Sequence, residues 1–71
     1  DPLLLNLSHE FLSAVEQLDE TMEKQMVYSL VNSFCSINGI RRIRFFSDGK
    51  SIESYKGKLF MNGEFLFNPE I

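Results

Sequence analysis

Tryptophan is absent from this 71-residue chain, and cysteine and histidine occur once each, as Cys35 and His9. A single cysteine excludes an intrachain disulfide. Cys-x-x-Cys, HExxH, P-loop and GxSxG patterns are all missing, so the known short routes to a zinc, nucleotide or acyl-transfer site are closed. One His and one Cys would hold a metal only with carboxylates brought in by chance geometry, and no cofactor or metal is expected. There are two prolines and four glycines, with no linker, no low-complexity tract and no internal repeat. No apolar run approaches the roughly 18 residues of a membrane-spanning helix. The opening DPLLLN is not a signal peptide; without an initial methionine the chain reads as a fragment or a processed form.

What is present fits one small domain, residues 1–71. Hydrophobic residues make up 44% and charged residues 24% of the chain, values of a globular protein. Seven phenylalanines point to a Phe-rich core. A chain of this length buries only about 60% of its unfolded surface, so its stability is marginal. The formal net charge is −3 and the pI about 4.9. That balance argues against nucleic acid as a partner.

The strongest pattern runs from Thr21 to Gly49. Met22, Met26, Leu30 and Phe34 recur at helical spacing with Val27, Val31 and Ile37 beside them, while Glu23, Lys24, Ser29, Asn32, Ser33 and Ser36 fall on the opposite face. The spacing predicts a helix over about Thr21 to Ile37, with Asp19 or Thr21 as its cap and Gly39 as a left-handed stop. From Arg41 to Ser47 the period changes to two, a strand with Ile43 and Phe45 inward and Arg42, Arg44 and Phe46 outward. Asp48-Gly49 is a hairpin turn leading to a third strand around Ser51 to Glu53, with Ile52 in the core. Upstream, Leu3, Leu4, Leu5 and Leu7 read as a buried strand, and Ser8 as the cap of a short turn from His9 to Leu12. Ser13 to Glu20 is either a loop or the first turns of the main helix. Downstream, Leu59-Phe60-Met61 and Phe65-Leu66-Phe67 flank Asn62-Gly63, either as a hairpin or as a tail wrapping the core. The fold class is thus α/β, in the α+β sense: one helix on about three strands, in the order strand, helix, strand, strand. Leu30, Phe34, Ile43 and Phe45 are expected to be buried against one another.

Few side chains suggest chemistry. His9 and Cys35 are the only base and thiol, and the helical position of Cys35 beside the apolar stripe favours a structural thiol over a nucleophile. Arg42, Arg44 and Phe46 form the outer side of a basic-aromatic strand. They are either a platform for a carboxylate or a base or a device that blunts an edge strand. Glu16, Asp19, Glu20 and Glu23 form an acidic patch at the helix start. Glu16, Glu20 and Glu23 are candidates for pairing with the arginine face of a neighbouring copy.

Three blocks carry a family resemblance: LNLSHEF at Leu5 to Phe11, QMVYSLVNSF at Gln25 to Phe34, and NGIRRIRFFSDGK at Asn38 to Lys50. In this order and spacing they resemble the GerMN domain, the sporulation and spore germination family, over its second part only. Asn6 stands where the family often has aspartate, and Asn38 where proline often precedes the glycine. The resemblance implies a noncatalytic module with a fold related to ring-building motifs. It also implies a place outside the cytoplasmic membrane, often in lipoproteins, anchored through a segment N-terminal to this chain. Envelope proteins, or further copies of the chain, would then be the partners. The competing expectation is a small nucleic-acid-binding module using the Arg/Phe strand.

Overall fold

The computed structural model describes residues 1–71. Its elements run β1 (Leu3–Leu7), α1 (His9–Val15), α2 (Glu20–Cys35), β2 (Arg42–Ser47), β3 (Lys50–Ser51) and β4 (Glu64–Leu66). The fold is α+β, with two helices and four strands where the sequence suggests one helix and about three strands.

The second helix forms where the sequence is ambiguous. Ser8 caps α1 by accepting the Phe11 N–H at 3.1 Å, satisfying one of the donors left free at a helix start. The helix continues through Ser13 to Val15 because Leu12 and Val15 both reach the core. Asp19 then caps α2 through the Met22 N–H at 2.9 Å. Two capping side chains eleven residues apart divide what periodicity alone leaves continuous. At its far end α2 stops at Cys35, earlier than Ile37. Gly39, at φ 95°, serves the turn closed by Ile40 N–H to Ile37 C=O at 3.1 Å.

β2 is the centre of the sheet. β1 pairs with it in parallel, Leu3 opposite Ile43 through Leu7 opposite Ser47. On its other side β3 and β4 both pair antiparallel, β3 at Phe46 and Ser47, β4 from Arg42 to Arg44. The β2–β3 connection is the two-residue turn expected at Asp48-Gly49. Both residues have positive φ, 53° and 73°, as a turn matched to strand twist requires. Asn6 Oδ1 accepts the Gly49 N–H at 2.8 Å and ties that turn to β1. Asn62-Gly63 does not join two strands: the segment from Leu59 wraps the core, burying Met61, and only Glu64–Leu66 enters the sheet. Asn32 fastens the tail to α2, donating from Nδ2 to the Asn68 carbonyl and accepting the Asn68 N–H at Oδ1, both at 2.9 Å.

The core is Leu12, Val15, Val27, Val31, Ile43, Phe45, Ile52, Met61 and Phe65. Phe65 stands edge-on to both Phe45 and Tyr28, with ring centroids 5.2 and 5.5 Å apart. Ile43 and Phe45 are inward, as alternation predicts; Ile52 is buried as expected, but it lies just past β3, which spans Lys50–Ser51 rather than Ser51 to Glu53. The helix face is not the expected one. α2 buries Glu23, Val27 and Val31, one position beyond the Met22–Met26–Leu30 line. Met22 and Met26 are 52% and 44% exposed, Leu30 is half-buried outside the core cluster, and Phe34 packs against the cluster from its rim. Both lines are plausible from spacing, since they lie about 100° apart on the same helix. The short valines let the helix approach the sheet, and the flexible methionines are left on the flank.

Core position therefore sets the order of mutational losses. Ile43→Ala is expected to cost about 2–5 kcal/mol, and Met22→Ala to stay within about 0.5 kcal/mol. Leu30→Ala falls between them. Urea denaturation of the three variants checks the order, and a Met22→Ala loss equal to that of Ile43→Ala would place the sheet against the wrong side of α2.

Candidate functional site

Both helices lie on one face of the sheet, where Leu12, Val15, Val27 and Val31 join Ile43, Phe45 and Phe65. The other face carries no element. Alternation along each strand sends Leu4 and Asn6 of β1, Arg42, Arg44 and Phe46 of β2, and Glu64 and Leu66 of β4 to that side. The register lines up Leu4, Arg44 and Glu64 across the sheet, with Asn6 beside Phe46 and Leu66 beside Arg42. Leu4 and Leu66 are 61% and 59% exposed, while Arg42, Arg44 and Phe46 are half-buried.

The arginines are held in place. Arg42 Nη1 lies 3.5 Å from Glu64 Oε2, and Arg44 Nη2 donates to the Asn62 carbonyl at 3.0 Å. An exposed pair such as Arg42–Glu64 adds only about 0–1 kcal/mol, so its effect is orientation more than stability. Between Leu4, Asn6, Phe46 and Gly49 lies a shallow groove of about 210 Å³. The edge-blunting reading of these arginines is overturned, because β2 has partners on both sides and no free edge. They cover a face.

The acidic residues do not form one free patch. Glu20 is exposed. Asp19 is spent on the α2 cap. Glu16, half-buried at the end of α1, accepts the Lys56 N–H at 3.0 Å. Glu23 is 1% exposed, so it is neither on the polar face of α2 nor available to a neighbour. Its carboxylate accepts three donors from the segment that follows β3: the Tyr55 hydroxyl, the Lys58 N–H at 3.0 Å and the Leu59 N–H at 3.2 Å. Gly57 makes room, since a Cβ there would collide with the Glu23 carboxylate and the Tyr55 ring. Sequence spacing does contain a signal for this, because Glu23 sits four and eight residues before Val27 and Val31.

Burial pulls the Glu23 carboxyl upward, but the bonds from Tyr55, Leu59 and Lys58 outweigh it and hold the group below the usual carboxylate range. The Tyr55 phenol is pushed well up by burial and by its bond to Glu23. His9 and Cys35 are not joined by any hydrogen bond. His9 opens α1 and borders an open polar cleft of about 280 Å³ between α1 and residues 50–55. Cys35 is half-buried against the core, its thiol directed at the Arg41 carbonyl at 3.8 Å.

Removing the carboxylate should open the segment it holds. Glu23→Ala leaves the Tyr55 hydroxyl and two backbone N–H groups without an acceptor. The expected loss is about 3 kcal/mol or more, at roughly 1–3 kcal/mol per orphaned buried donor. Amide exchange at Lys58 and Leu59 should speed up with it, and unchanged exchange there would refute the clamp. The pH dependence follows in sign. A carboxyl whose folded pKa is lowered contributes fully above its unfolded pKa of about 4.3, and that stability is lost as pH falls through the folded value. The raised phenol contributes fully below about pH 10 and loses its contribution in more alkaline solution. Urea midpoints should thus decline in acid for the wild type and decline less for Glu23→Gln; parallel acid limbs would contradict this.

The family model described as "Germane: Sporulation and spore germination" matches residues 3–53, from β1 through the end of the β2–β3 hairpin and Ile52. Neither a curated protein nor a solved structure matches the chain. The match covers well over half of the sequence and all three blocks in which the resemblance is visible. The chain belongs to the sporulation and spore germination family, and its role is tied to those processes.

Proposed function

We propose that this chain is a noncatalytic protein-interaction module of the bacterial cell envelope, acting outside the cytoplasmic membrane, and that the uncovered sheet face around Arg42, Arg44 and Phe46 is its working surface. The observation that carries the reading is the one-sided layering: two helices cover one face of the sheet, and the other keeps Leu4, Phe46 and Leu66 beside two oriented guanidiniums. An aromatic and arginines among exposed aliphatic side chains are the composition of an interface centre. Membership of a sporulation and spore germination family supports a role in those processes.

The geometry changes the kind of partner this face suits. With Glu23 buried and Glu16 bound to a backbone amide, the helix start keeps too little free negative charge to attract the arginine face of another copy. Acidic groups facing Arg42 and Arg44 belong instead to a different protein. The nucleic-acid reading is weaker, since the net charge is −3.

Photo-crosslinking groups at Phe46 and Leu66, with one at the exposed Lys24 of α2 as control, test the assignment in the producing cell. Crosslinks to envelope-fraction proteins from the two sheet positions and not from Lys24 are expected. Equal labelling from both faces, or capture of nucleic acid, would reject it.

A further inference from the structure

The asparagines of this chain are held in different ways. Asn6 accepts the Gly49 N–H from within β1. Asn32 lies inside α2 and is bonded to the Asn68 backbone through both ends of its amide. Asn68 accepts the Glu70 N–H and precedes Pro69, which has no N–H. The other two stand before glycine. Asn62 is half-buried, and its carbonyl accepts from Arg44 Nη2 at 3.0 Å. The Gly63 N–H after it donates to the Phe60 carbonyl at 3.4 Å, and a Cβ at Gly63 would lie 3.2 Å from the Phe60 ring. Asn38 has none of this. It is exposed in the turn after α2, its side chain makes no hydrogen bond, and neither does the Gly39 N–H. A Cβ at Gly39 would meet nothing within 4 Å.

We propose that Asn38 is a site of self-modification, at which the Gly39 backbone nitrogen converts the side-chain amide into a carboxyl group. The inference stands apart from the outer-face reading above. Gly39 N loses its proton to solvent base and attacks Asn38 Cγ. The new C–N bond closes a five-membered imide, the Cγ–Nδ2 bond breaks, and ammonia leaves with the proton returned. Water then adds to either imide carbonyl. One opening gives aspartate at position 38, and the other gives isoaspartate, with the main chain running through the former side chain. Glycine exposes the attacking nitrogen because it has no Cβ. At Asp48-Gly49 the corresponding ring closure is held back, since that glycine's N–H is bonded to Asn6 at 2.8 Å. Both products disturb the joint between α2 and β2. The new negative charge lies just beyond the negative end of a helix with no basic residue in its last turn. Isoaspartate also lengthens the backbone by one carbon inside the turn that Ile40 N–H closes on the Ile37 carbonyl at 3.1 Å.

Purified chain kept for weeks in mildly alkaline buffer, with and without strong urea, tests the site by peptide mapping and isoaspartate detection. In the folded chain the carboxyl should accumulate at 38 and be about tenfold slower at 62, the slowing expected from the hydrogen bonds that must open there. In urea the two Asn-Gly rates should converge, chiefly because that of Asn62 rises. The urea midpoint of the aged wild type should fall, while Asn38→Gln, checked as folded by circular dichroism, should keep its midpoint on ageing. Equal rates at 38 and 62 in the folded chain overturn the proposal. So does a rate at 38 that rises in urea as much as that at 62, which would mean that the turn protects Asn38. An aged wild type fully modified at 38 with an unchanged midpoint would refute the effect on the α2–β2 joint.

Discussion

The Glu23 carboxylate is the interaction on which the rest of the molecule depends. A segment from Ser54 to Leu59 that forms no strand or helix must still find partners for its backbone N–H groups. One buried side chain supplies two of them and fixes the Tyr55 ring as well. The cost of placing a carboxylate among apolar groups is met by three donors converging on it. In consequence α2 is rotated so that the Glu23–Val27–Val31 line faces inward. That rotation decides which methionines are left on the flank.

The sheet obeys a different constraint. β2 lies between β1 on one side and two short strands on the other, and the short strands divide its length between them. A six-residue central strand with alternating inward Ile43 and Phe45 needs partners along both sides, and the chain provides the second side in two pieces. The wrapped segment held by Glu23 carries the chain from the end of β3 to the start of β4. The clamp and the sheet are therefore coupled through Met61 and Phe65, both buried.

Layering follows from that arrangement. All connections that carry apolar bulk, α1, α2 and the wrapped segment, contribute to one core. The outer face receives only side chains from the strands, and so keeps leucine, phenylalanine and arginine where another protein's core-facing groups would otherwise lie. Family membership ties the molecule to sporulation and germination.

Local rules determined much of this protein from its sequence. Period two in Arg42 to Ser47 set the inward pair Ile43 and Phe45, Asp48-Gly49 set the hairpin, and Ser8 and Asp19 were legible as caps, because each depends on neighbours within a few residues. The three family blocks were legible for the same reason. Tertiary structure decided the rest. Whether Arg42 and Arg44 lie on an edge or a central strand depends on β4, some twenty residues away. The side of α2 that faces inward depends on donors from Tyr55, Lys58 and Leu59, more than thirty residues beyond Glu23. Periodicity reports that a helix has an apolar side, but two neighbouring lines on α2 satisfied it. Only the burial of a satisfied carboxylate, an energy that exists once distant backbone amides converge on it, chose between them.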